Sequence, residues 1–210
     1  MTEINRKLHW EKVYETKQLN EVSWYQARPD ISLGFLEKFK LPKQAKIIDV
    51  GGGDSLFVDY LLERNYTDIT VLDISETALE KAKKRLGKRA DDVTWILADA
   101  GEFEPTEKYD FWHDRAAFHF LTDEDAIAHY TENVNKNVNP GGYLILGTFS
   151  TNGPFKCSGL EIKQYSEKSM TDRFLHFFEK IKCLTVEHLT PSEKIQEFIF
   201  CSFKRMKTAC

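Results

Sequence analysis

The sequence predicts an α/β fold built on a doubly wound, mostly parallel sheet. Three observations predict it. Short apolar runs alternate along the chain with segments whose apolar residues recur at helical spacing. One such run, Lys46-Ile47-Ile48-Asp49-Val50, leads straight into a glycine-rich loop, Gly51-Gly52-Gly53-Asp54-Ser55, with a helical pattern behind it. Acidic residues, Asp49, Asp73 and Asp99, stand at the ends of three successive runs, where an open parallel sheet receives its ligands.

The elements follow in order. Residues 1–40 are rich in aromatics and charge, and Arg28-Pro29 interrupts any helix there; they read as one or two helices laid over the domain at 41–210. Residues 46–50 are the first strand, β-branched and apolar, and 56–64 a helix packed on the sheet through Leu56, Phe57, Tyr60 and Leu61. Residues 69–73 form the second strand. Ser75 caps the next helix, whose stripe is Ala78, Leu79, Ala82 and Leu86; Glu76 at its start and Lys83, Lys84 and Arg85 at its end follow the macrodipole. Residues 93–97 and 109–113 are the third and fourth strands. Thr122 with Asp125 resembles a capping box opening a helix to Asn137, and Asn139-Pro140-Gly141-Gly142 a turn before the most apolar strand, 143–149. An irregular insertion at 153–165, a helix at 169–181 and strands at 183–189 and 197–203 complete the chain. The short Thr190-Pro191-Ser192 connection makes the last strand antiparallel to its neighbours.

Composition bounds the function. The chain has 210 residues, 41% hydrophobic and 30% charged, enough for one domain with a sizeable core. A formal charge of -4 disfavours binding nucleic acid through its phosphates. No apolar run approaches the roughly 18 residues of a membrane span, and the N-terminal Met-Thr-Glu-Ile-Asn-Arg-Lys lacks the apolar stretch of a signal peptide. A soluble, cytoplasmic protein, monomer or dimer, is expected. Cys157, Cys183, Cys201 and Cys210 show no C-x-x-C spacing and no companion histidines, so they are expected as free thiols and no metal is expected.

The glycine loop alone is a weak signal; the acids around it strengthen it. Gly51 and Gly53 let a ligand approach the backbone. Asp73 is placed to accept both hydroxyls of a ribose, and Asp99, with the adjacent amides, to meet an adenine amino group. A dinucleotide fingerprint aligned on Gly51 and Gly53 needs a third glycine at position 56, which is Leu56. A carboxylate at Asp49 also suits the ammonium and sulfonium of S-adenosylmethionine better than a diphosphate.

Residues 46–55 resemble motif I of the class I S-adenosylmethionine-dependent methyltransferases, with Ser55 where that family has its third glycine. Asp73, Asp99 and Pro140-Gly141-Gly142 fall at the family's ribose carboxylate, adenine-side acid and turn before the fifth strand. The resemblance covers about residues 40 to 205 and implies a Rossmann-like, seven-stranded sheet with an antiparallel last strand. It implies cofactor contacts from Asp49, Gly51, Gly53, Asp73, Ile74, Asp99 and Ala100. Val22-Ser23-Trp24-Tyr25-Gln26 and Trp112-His113-Asp114-Arg115 are similar to a subgroup of small bacterial methyltransferases. In that subgroup the N-terminal helices form a lid, here with Trp10, Tyr14, Trp24 and Tyr25 over the cofactor's methionine end; simple packing of these aromatics is the alternative.

The end of the fourth strand supplies the acceptor-side candidates. His113 is placed to remove a proton with Asp114 beside it, His119 to assist, and Arg115 to hold an acidic substrate; packing or local pairing is the alternative for each. Cys157, in the insertion, is expected as a pocket wall. No N-P-P-Y-type tetrapeptide follows this strand, against a nucleic-acid base as acceptor. A small-molecule acceptor is the first expectation; protein-lysine methylation by the same fold, or a catalytically silent cofactor-binding protein, are the alternatives.

Overall fold

The computed structural model describes residues 5–207. Its main sheet has seven strands in the order β3-β2-β1-β4-β5-β9-β8. They are β1 (Lys46–Val50), β2 (Asp68–Asp73), β3 (Val93–Leu97), β4 (Tyr109–Arg115), β5 (Val138–Phe149), β8 (Phe178–Leu189) and β9 (Ile195–Arg205). The first five are parallel; β9 runs antiparallel to both β5 and β8, as the short final connection requires. β1 lies at the centre between β2 and β4, so the chain switches direction across the sheet there. In register, Asp49 faces His113 and Val50 faces Asp114. The glycine loop and the end of β4 therefore open into one crevice.

Period-2 alternation divides the apolar side chains between two faces. Ile47, Val71, Phe111 and Ile145 point to one, covered by α2 (Asp30–Phe39), α3 (Phe57–Glu63) and α4 (Glu76–Leu86). Ile48, Leu72, Trp112 and Leu144 point to the other, covered by α5 (Glu124–Asn137) and α6 (Glu167–Phe174). These side chains are essentially inaccessible, each worth about 1.5–3 kcal/mol of burial. Helix α1 (Arg6–Thr16) lies outside both layers, on α4 and the crevice. Of the expected 1–40 lid, α1 and the 18–25 segment flank the crevice, whereas Leu33, Phe35 and Leu36 of α2 belong to the core.

Several boundaries differ from the sequence expectation. Asp123, not Thr122, caps α5, because its carboxylate reaches two amides, Asp125 N at 3.0 Å and Ala126 N at 3.2 Å. The 139–142 turn is drawn into β5, which starts at Val138 and pairs irregularly with β4 there. The helix expected through residue 181 stops at Phe174, because β8 starts at Phe178 and pairs along its length with β9. The insertion contains a small hairpin of β6 (Lys156–Cys157) and β7 (Leu160–Glu161), turned by Ser158 and Gly159 at positive φ.

The cysteines also correct an expectation. Cys183 and Cys201 face each other across β8 and β9 and form a disulfide. Cys157 is buried and has no disulfide partner among the described residues; Cys210 lies outside them.

Candidate active site

At the carboxyl ends of β1, β2 and β4 lie two adjacent hollows, a larger and a smaller chamber. Gly51, Trp24 and Arg115 line both. Asp73, Ile74, Asp99 and Ala100 wall one side of the large chamber, and Phe149, Cys157, Gln196 and Phe198 the other. Asp49, Tyr25 and His113 line the small one. The cofactor-side residues expected from sequence thus converge, with Gly53 tucked against Asp73.

The loop's shape depends on missing side chains. Gly51 has φ +69°, and a Cβ there would lie 2.6 Å from Ala117 Cβ. Gly53 has φ +45°, and its Cβ would lie 2.8 Å from Asp73 Oδ2 and 2.9 Å from Tyr14 Oη. The loop backbone therefore approaches Asp73 and Tyr14 more closely than any side chain would allow. Asp73 is only 5% exposed. Its Oδ1 accepts the Ser75 amide at 2.9 Å, and burial pushes its carboxyl up to about 7.

Asp49 is held from behind. His113 Nδ1 lies 2.7 Å from Asp49 Oδ1, and its Nε2 lies 2.8 Å from Ser32 Oγ on α2. The ring is sandwiched against Phe57 at 4.3 Å. Both ring nitrogens are engaged, so His113 fixes the carboxylate and has no free site for a substrate proton. The two other candidates for proton transfer differ from expectation as well. Asp114 is fully buried and faces away from the crevice: Oδ1 accepts the amides of Ala117 and Phe118, and Oδ2 accepts Tyr130 Oη–H at 2.7 Å. Burial raises its carboxyl to about 6. His119 accepts the Phe149 amide at Nδ1, and burial lowers it to about 3, which keeps it neutral. Neither Asp114 nor His119 lines the chambers.

Helix α1 crosses the opening and is held at three points. Arg6 pairs with Asp99 at 2.9 Å. Glu11 accepts from Ser75 Oγ and from the amides of Glu76 and Thr77 at the start of α4, where a carboxylate complements the helix dipole. Lys81 donates to the backbone carbonyls of Tyr14 and Lys17. Trp10 packs edge-on against Trp24 and Phe120. No motif or spacing points to Arg6 or Gln196 in this crevice: only the tertiary fold brings them to it.

Residues 47–142, which contain the loop and the strand-end acids, match the family model of a methyltransferase domain. Over that stretch, just under half of its length, the chain resembles a methyltransferase domain. Over 115 residues it is 29% identical to malonyl-[acyl-carrier protein] O-methyltransferase 1 of Ilyobacter polytropus, covering 54% of this chain and 41% of that protein. Over 121 residues it is 27% identical to the eEF1A lysine and N-terminal methyltransferase of Mus musculus, covering 57% of this chain and 17% of that one. The chain thus spans less than half the length of either relative. In fold, the whole domain superposes on the N-methyltransferase NodS of Bradyrhizobium japonicum in complex with S-adenosylhomocysteine. The TM-score is 0.68, with 16% identity, 93% of this chain and 97% of that chain covered.

Proposed function

We propose that the chain is an S-adenosylmethionine-dependent methyltransferase acting on a small-molecule acceptor. The observation that carries the reading is Asp73: a desolvated carboxylate at the end of β2 that lines the large chamber, approached by the Gly53 backbone more closely than a side chain would allow. Two ribose hydroxyls donating to that carboxylate would relieve its burial with charge-assisted hydrogen bonds. Asp49, fixed by His113, faces the small chamber with the charge an ammonium group needs. Ile74, Ala100 and Leu121 offer apolar walls for a base, and Asp99, paired with Arg6 at the rim, an acceptor for an adenine amino group. Trp24 and Tyr25 line the small chamber, at the expected methionine end. When bound, the cofactor supplies an electrophilic methyl group on a sulfonium. The chain's part is to position and desolvate the acceptor.

The covering of the crevice by α1 and Trp24 favours a small acceptor over a lysine on a folded protein surface. Calorimetric titration is expected to show micromolar binding of S-adenosylmethionine and S-adenosylhomocysteine and none of NAD; saturable NAD binding alone would overturn the reading. A tritiated-methyl screen against metabolite pools and whole-cell protein then tests the acceptor. Label confined to protein would favour lysine methylation.

A further inference from the structure

Arg115 is the last residue of β4, and its guanidinium has no counter-ion among the described residues. Nη1 donates to the Trp24 carbonyl at 2.9 Å, and the group lies 5.3 Å from the centre of the Phe198 ring. Its Nε is buried and has no hydrogen-bond partner among the described residues. No carboxylate of the described residues lies within ion-pair distance of it. Asp49, the acid it feels most, is already committed to His113, and burial keeps the Cys157 thiol protonated by pushing it up to about 11. Arg85 makes the contrast: placed between α3 and α4, it is met by both Asp54 and Asp59. Taking a guanidinium out of water without such partners is costly, and folded chains rarely do it without a use.

The surroundings say which use. Arg115 stands between the two chambers, and beyond it, away from Asp73, lie Phe149, Cys157, Gln196 and Phe198. Gln196 has a buried amide oxygen with no partner among the described residues; with its amide turned over, the NH2 would add a second donor facing the same space. A cation and an amide set in aromatic walls fit an anion with an apolar body. We propose that the methyl acceptor is a small carboxylic acid, apolar apart from its carboxylate, which Arg115 binds with help from Gln196. One carboxylate oxygen would form the new O–CH3 bond of a methyl ester as the S–CH3 bond breaks and the sulfonium leaves as a neutral thioether. The inference rests on the methyltransferase reading and names the acceptor class for that site.

The test uses phenylacetate, benzoate and hexanoate, each beside its neutral amide, titrated calorimetrically into the whole protein with and without S-adenosylhomocysteine. At least one acid is expected to bind about tenfold or more tighter than its amide, the loss expected for charged hydrogen bonds. Arg115→Gln should erase that preference and change S-adenosylhomocysteine affinity by less than about threefold. Arg115→Lys, which keeps the charge but not the fork, should retain part of it. Thermal melts of both variants establish that they fold. Three results would each overturn the proposal: acids and amides binding alike across the panel, the preference surviving in Arg115→Gln, or S-adenosylhomocysteine affinity falling about tenfold in that variant. The last would mean that the guanidinium holds the cofactor's own carboxylate. Failure of the wild type to bind S-adenosylhomocysteine while still preferring acids would instead remove the cofactor reading and leave Arg115 as an anion site.

Discussion

Replacing Asp73 with asparagine should make the protein more stable and less able to hold its cofactor. Burial raises the Asp73 carboxyl from 3.8 to about 7, so the folded chain binds that proton more tightly than the unfolded chain. The folded state gains from this below about pH 4 and loses the gain as pH rises through about 7. At about pH 8 the ionised group therefore costs folding free energy, with about three units at 1.36 kcal/mol each giving an upper bound near ~4 kcal/mol. Asparagine has the same shape, can still accept the Ser75 amide now at 2.9 Å, and carries no charge. The variant is expected to gain about 1–3 kcal/mol in urea denaturation at pH 8, the discount allowing for relaxation around the wild-type charge. The gain should shrink toward zero by about pH 4, where the wild-type residue is itself neutral. Asp114, raised to about 6, titrates in both proteins and cancels. Calorimetry at pH 8 should show S-adenosylhomocysteine affinity weakened by about 1.5–3 kcal/mol. A variant no more stable at pH 8, or a gain independent of pH, would refute the claim that Asp73 is held desolvated for a ligand.

Three further outcomes are expected. His113→Ala leaves the buried Asp49 carboxylate without its 2.7 Å partner and should cost about 3–5 kcal/mol in urea denaturation; a loss below about 1 kcal/mol would mean that the ring does not hold Asp49. Gly53→Ala places a methyl group 2.8 Å from Asp73 Oδ2 at positive φ; the strain should cost about 1 kcal/mol or more, and calorimetry should detect no S-adenosylhomocysteine binding. Reducing Cys183–Cys201, which are 18 residues apart, should lower stability by up to about 3 kcal/mol, less whatever the hairpin pairing already restrains. A dithiothreitol-dependent fall in melting temperature, absent from Cys201→Ser, would show it.

That the glycine loop and Asp73 meet at one crevice was legible because the signals for it are local. A strand, a glycine loop, a helix and an acid at the next strand's end lie within 28 positions, Lys46 to Asp73, and backbone geometry converts that order into a place in space. The helix boundary near Phe174 was not legible. Phe174, Phe177 and Phe178 have helical spacing, and only pairing with the distant β9 takes Phe178 into a strand. The disulfide was hidden for the same reason: an 18-residue separation says nothing until β8 and β9 fix their register.

The end of β4 shows what spacing alone misses about chemistry. His113, Asp114 and Arg115 are consecutive, which in sequence looks like a cluster. In a strand, consecutive side chains leave on opposite faces. His113 goes to the α2 side, where Ser32 and Asp49 take both its nitrogens; Asp114 goes to the α5 side, where Tyr130 and two turn amides consume it. Of the three only Arg115 lines the large chamber, and it arrives there as a cation whose Nε has no partner among the described residues. The expected acceptor-side set therefore separates into a support for Asp49, a brace for the turn after β4, and a charge with no counter-ion among the described residues. A strand of this kind can hand a pocket every second side chain, so the property the crevice inherits from β4 is Arg115's positive charge rather than a base.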